Sequence, residues 1–171
     1  MKESAAEAVS YVRANAVRLG IDPEFYKKLD IHIHATEAAV PKDGPSAGVK
    51  MTTALVSALT NIPVRHDVAM TGEVSIRGRV LQIGGLKEKT MAAYRSGMKT
   101  VVVPAENESD LQDIEPVVRE NIRFVLADTM KTVLDTALCR PVDSELPVLP
   151  LYQITPPRSG AAITEKTTMK Q

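Results

Sequence analysis

The chain has one cysteine, Cys139, no tryptophan, and only 4% aromatic residues in 171. A single cysteine cannot close an internal disulfide, which fits a reducing compartment. Cys139 has no histidine near it in sequence and reads as a free structural thiol rather than a nucleophile. Charge of one sign is also missing: 21 basic and 21 acidic residues cancel to a formal charge of zero. Without an excess of positive charge there is nothing to track a phosphate backbone, so nucleic acid is not expected as a partner. No apolar run approaches the roughly 20 residues of a membrane span, and Met1–Glu7 lacks the apolar core of a signal peptide. The expectation is a soluble cytoplasmic protein, with a mitochondrial matrix location as the alternative and no membrane contact.

What is present is ordinary in bulk, with 44% apolar and 25% charged residues in a length suited to one domain. Residues 2–19 repeat Ala5, Ala8, Val9, Val12, Ala16 and Leu19 at helical spacing, with Gly20 as a C-cap. Residues 30–37 alternate Ile31, Ile33 and Ala35 with His32, His34 and Thr36, which predicts a strand with the histidines partly buried. A helix is expected over 46–60 and strands over 64–74 and 75–83, with Arg77-Gly78-Arg79 as a hairpin turn. The pattern continues with a helix over 86–96 capped by Gly97, a strand over 100–103 and a polar helical stretch over 108–120. A strand over 122–126 and a helix over 129–138 complete it. This is a mixed α/β or α+β domain with a small sheet, ending near residue 140. Residues 141–171 contain Pro147, Pro150, Pro156 and Pro157 without an amphipathic period. They read as an extended or disordered tail.

Two punctuated segments carry chemistry. Pro41-Lys42-Asp43-Gly44-Pro45-Ser46-Ala47-Gly48 places a serine at the junction of a constrained loop and a helix start. Ser46 can be read as a helix N-cap. It can line a phosphate cradle, although no G-x-x-x-x-G-K-S/T pattern is present. It can also be a nucleophile, with helix N–H groups stabilising an oxyanion and glycines admitting a substrate backbone. A nucleophile needs a base. His32 and His34 lie apart from His66 and build no triad, and as a metal pair they lack a matching third ligand.

The second segment, Gly84-Gly85-Leu86-Lys87-Glu88-Lys89, supplies an amine. A lysine titrates near 10.4 when solvated, and each unit of depression costs about 1.4 kcal/mol, so a lysine base requires a dry setting. Helical spacing surrounds Lys89 with Leu86, Ala92, Ala93 and Ser96, a small and mostly apolar face. Lys87 is set among Thr90, Met91, Tyr94 and Arg95, which are larger and more polar. Lys89 is the better candidate.

Together with Asp67-Val68-Ala69-Met70-Thr71-Gly72-Glu73 and Arg77-Gly78, these segments make the chain resemble the proteolytic domain of the Lon family, bacterial and mitochondrial type, over roughly residues 1–138. The resemblance implies a serine endopeptidase with a Ser46–Lys89 dyad, 43 positions apart as in the family. Asp43, Gly44, Thr71, His32 and His34 would support it, Thr71 by hydrogen bonding the lysine. It also implies the family's α+β fold, ribosomal protein S5 domain 2-like, with small mixed sheets packed with helices. A homo-oligomeric ring of six, acting on unfolded or damaged proteins, is implied as well. With few aromatics there is no evident deep aromatic specificity pocket, and a broad preference for exposed apolar segments is expected. The family carries ATP and Mg in an ATPase module ahead of this domain, along with further strands. This chain holds no P-loop and is expected to be a fragment without its own cofactor or metal. A catalytically latent oligomerisation or chamber module is the alternative, and a phosphate-binding small-molecule kinase-like domain a remote one.

Overall fold

The computed structural model describes residues 2–34 and 46–140. Helix α1, Lys2–Asn15, buries Ala8, Tyr11 and Val12 on one face. The predicted helix tightens in its last turn to a 3₁₀ segment, Val17–Leu19, closed by Gly20 at φ 62°. Short helix α2, Phe25–Lys28, seats Phe25 fully in the core. Helix α3, Gly48–Thr60, packs against α1, with Val49 and Val56 meeting Val12 in one apolar cluster.

Strands β1 (Val68–Met70), β4 (Thr100–Pro104) and β5 (Arg123–Ala127) form a parallel sheet with β4 in the middle. Ala69 stands opposite Val101, and Val102 opposite Val125. Parallel strands need crossovers. Helix α4 (Leu86–Arg95) lies in the first; a 3₁₀ segment (Ala105–Asp113) and α5 (Pro116–Asn121) form the second. Strands β2 (Glu73–Val74) and β3 (Val80–Leu81) make a separate antiparallel pair. Helix α6, Met130–Ala137, follows β5.

The wholly apolar run Val101–Val103 has a structural reason. Successive strand side chains point to opposite faces, and here both faces are covered. Val102 joins Val49, Val56 and Met130 on one side, while Val101 and Val103 join Leu86, Ala93 and Val118 on the other. Helices α3 and α4 therefore contribute to separate apolar layers.

Three expectations are corrected. The stretch 64–74 is not one strand: β1 belongs to the parallel sheet and β2 to the antiparallel pair, because the chain turns at Gly72 to bond the start of α3. The Arg77-Gly78-Arg79 hairpin does form, closed by Gly78 N–H donating to Ser75 O at 2.7 Å. Of the strand expected over 30–37, residues 30–34 form none, since no neighbouring strand pairs with them among the described residues, and residues 35–37 lie outside those described; His32 and His34 are exposed rather than partly buried. The polar stretch near 108–120 divides at Ile114 into the 3₁₀ segment and α5, with Pro116 in the first turn of α5 as proline's fixed φ favours.

Gly72 has no room for a side chain: a Cβ there would stand 2.7 Å from Val49 Cγ2 and 2.9 Å from Val80 Cγ1. Both valines are buried core groups that cannot swing aside. Gly72→Ala is expected to cost about 1–3 kcal/mol by overpacking, read as a lower denaturation midpoint with an unchanged m-value. An unchanged midpoint would show that the junction can yield.

Candidate active site

The site is built where the carboxyl end of β1 meets the start of α3, the end of a parallel sheet at which ligands commonly sit. Thr71 extends β1 by donating its N–H to Val102 O at 3.1 Å. Its side chain is buried. Gly72 then holds the entry to α3 from both sides: its N–H donates to Ser46 O at 3.3 Å, and its carbonyl accepts from Val49 N–H at 3.2 Å. Gly48 presses the helix start onto β2, where a Cβ would meet Val74 N at 3.0 Å.

Ser46 thus sits in a backbone frame made by residues distant in sequence. The N-cap position of α3 belongs to Ala47, at φ −92° and ψ −6°, which has no side-chain acceptor. The capping role considered for Ser46 falls outside the position it occupies. Asp43 and Gly44 lie outside the described residues, as does the tail from 141 to 171.

The two lysines of the second segment are in opposite situations. Gly85, at φ 68°, takes the left-handed conformation that starts α4, a backbone state natural to glycine. Lys87 is exposed and pairs with Glu115 at 2.9 Å, and that carboxylate raises its pKa. Lys89 is half-buried and donates from Nζ to Gly84 O at 2.7 Å. Burial is the main reason its pKa falls below the ordinary lysine value; the ammonium of Lys50 lowers it further and Glu88 opposes both.

Lys50 was not singled out by the motifs, although one signal was available. It is four positions after Ser46, so one helical turn carries it past the serine. Among the described residues no hydrogen bond joins Lys89 Nζ to Ser46 or Thr71, its amine being engaged with Gly84. His32 and His34 stack with ring centroids 6.5 Å apart and planes 11° from parallel. Among the described residues no group of three or more His, Cys, Asp or Glu is arranged to hold a metal, and no helix is long and apolar enough to cross a membrane.

The chain is similar in sequence to proteins of one family. The family model described as Lon protease (S16) C-terminal proteolytic domain matches residues 1–140. The chain is 57% identical over 145 residues to the Lon protease of Clostridium acetobutylicum, covering 85% of this chain and 19% of that protein. It is 61% identical over 138 residues to the Lon protease of Bacillus thuringiensis, covering 81% and 17%. With Lon protease 1 of Bacillus subtilis the identity is 56% over 138 residues, covering 81% and 18%. The chain therefore spans less than a fifth of the length of these curated relatives.

The charges around Lys89 make its titration adjustable in a known direction. Lys50→Ala is expected to raise the Lys89 pKa and Glu88→Gln to lower it. Added salt should raise it in the wild type, where the Lys50 effect exceeds that of Glu88, and lower it in Lys50→Ala, where only the Glu88 attraction is left to screen. The check is the Lys89 ¹³Cε resonance followed against pH in lysine-labelled protein. An unchanged midpoint in Lys50→Ala would mean that this ammonium exerts no effective field on Lys89.

Proposed function

Since the chain belongs to the Lon protease family, as its proteolytic domain, we propose that it hydrolyses peptide bonds with Ser46 as nucleophile and neutral Lys89 as general base. The observation that carries this reading is the half-buried Lys89 amine, held by Gly84 O at 2.7 Å and desolvated enough that burial lowers its pKa. A neutral amine has two N–H donors and one lone pair. Donation to Gly84 O orients the group and leaves the lone pair available to the serine hydroxyl.

The steps follow from these groups. Lys89 takes the Ser46 proton as Oγ attacks the substrate carbonyl, and N–H groups at the start of α3 stabilise the oxyanion. The resulting ammonium returns a proton to the departing amine as the C–N bond breaks, leaving an ester on Ser46. Water then attacks the ester, giving a proton to Lys89, and the serine leaves with that proton. Buried Thr71 would position the lysine, with His32, His34, Asp43 and Gly44 in supporting roles.

The substrates we infer are unfolded or damaged proteins with exposed apolar segments. The longer relatives bear the name Lon protease, which supports reading this domain as the hydrolytic part of a larger ATP-dependent protease of the bacterial cytoplasm. ATP and Mg would act there in a separate module, and six domains would enclose a chamber. The fold would be the ribosomal protein S5 domain 2-like α+β type. The missing Lys89–Ser46 hydrogen bond favours a second reading, in which this domain alone is a latent chamber module that assembly activates.

Hydrolysis of unfolded casein or a fluorogenic peptide tests both. Ser46→Ala and Lys89→Ala are each expected to lose on the order of 10³-fold or more in kcat. Wild-type activity should rise with pH through the lowered Lys89 pKa, because only the neutral amine accepts a proton. Retention of wild-type activity by Lys89→Ala would overturn the dyad. A wild type that is inactive alone and active in a ring would establish the latent form.

A further inference from the structure

Lys89 is only as well placed as the carbonyl it donates to, and Gly84 is an unlikely residue to hold a carbonyl still. It is exposed, has no neighbour within 4 Å of where a Cβ would stand, and precedes a second glycine. The restraint comes from the residue before it. Ile83 N–H donates to Asn107 Oδ1 at 3.1 Å, and Asn107 Nδ2 donates to Ile83 O at 2.9 Å. One side-chain amide therefore grips the backbone of Ile83 at both its polar groups. The same Nδ2 donates to Asp110 Oδ2 at 2.6 Å, which fixes the orientation of the amide. One residue upstream, Gln82 N–H donates to Glu106 Oε2 at 3.3 Å.

Asn107 is fully buried, and a buried amide is retained at a cost unless its partners satisfy it. Here its oxygen accepts one bond and its nitrogen makes two. It lies in the 3₁₀ segment just after β4, so the strap Gln82–Gly85 is fastened to the central strand of the sheet.

We propose that Asn107 is a positioning residue for the peptidase reaction, clamping the Ile83 backbone so that the Gly84 carbonyl holds the Lys89 amine in place. The inference rests on Lys89 being the base, as argued above. Asn107 does not approach the reacting atoms and acts through Ile83, Gly84 and Lys89 in turn. The charged groups near Lys89 are Lys50 on α3 and Glu88 on its own helix. From the elements packed against α4, Glu115 and Asp113 act on Lys87. The Asn107 amide itself is uncharged and acts on Lys89 by geometry.

The decisive readout is the titration of Lys89 in the full chain, followed by its ¹³Cε resonance and assigned with Lys89→Arg. In Asn107→Ala the strap is released, the amine gains access to water, and the Lys89 midpoint moves upward. In an active preparation kcat falls about ten- to hundredfold with KM little changed, as misplacement of a reacting group produces. The acid limb of the pH profile moves with the midpoint. Asp110→Ala, which keeps the Ile83 bonds but frees the amide to rotate, is expected to move the midpoint in the same direction by less. It decides the matter if Asn107→Ala does not fold. An unmoved Lys89 midpoint in folded Asn107→Ala, or in Asp110→Ala where that is the variant that folds, would overturn the proposal and leave Asn107 as a packing residue. Full activity in Lys89→Ala would instead overturn the dyad, whatever the clamp does to the midpoint.

Discussion

Gly72 exchanges backbone hydrogen bonds with both sides of the turn into α3, donating to Ser46 and accepting from Val49. The site depends on this junction because it ties two parts of the molecule together by backbone hydrogen bonds. On one side is β1, paired to the central strand; on the other is the helix beginning at Gly48. Close approach requires that residues 48 and 72 have no side chain: a Cβ on either would come within about 3.0 Å of a valine. The absence of two methyl groups thus lets α3 and the turn at Gly72 approach closely enough for Ser46 O to accept from Gly72 N–H.

A second frame, on the other face of the sheet, places the lysine. Leu86 and Ala93 anchor α4 beneath Val101 and Val103, and Gly85 sets the angle at which the helix departs. Burial of one side of α4 makes Lys89 and Lys87 unlike: one amine is drawn toward Gly84 and partly desolvated, the other reaches a carboxylate in solvent. The two proposed catalytic groups are therefore carried by elements anchored in opposite apolar layers, and the apolar strand β4 contributes side chains to both layers. The close packing of such an interior makes it a poor spring and a good ruler.

This division also explains what the resting arrangement contains. Lys89 rests on a main-chain carbonyl rather than on the serine. Catalytic hydrogen bonds commonly tighten only when substrate is bound, and a carbonyl acceptor keeps the amine oriented meanwhile. A nearby ammonium at Lys50 opposes protonation of Lys89 without touching it, an effect that salt can modulate.

Several elements were legible in the residue order because local physics decides them. The helical repeat of Ala8 and Val12, the caps at Gly20 and Gly97, the Arg77-Gly78-Arg79 turn and the apolar core of β4 all reflect spacing and conformational preference within a few residues. The Ser46 and Lys89 motifs, and the different faces of Lys87 and Lys89, were readable for the same reason. The alternation at 30–34 misled, because a strand exists only if another strand pairs with it, and alternation says nothing about partners. The division of 64–74 between two sheets, the union of Ser46 with Gly72 and the burial of Asn107 within a polar run were likewise absent from the local pattern. The pairing of β1 with β4, the Ser46–Gly72 bond and the Ile83–Asn107 bonds each join residues 24 or more positions apart. By itself the residue order determined which elements form and which side chains carry chemistry; only the tertiary structure decided which backbone groups meet, because pairing and burial depend on what lies across the fold.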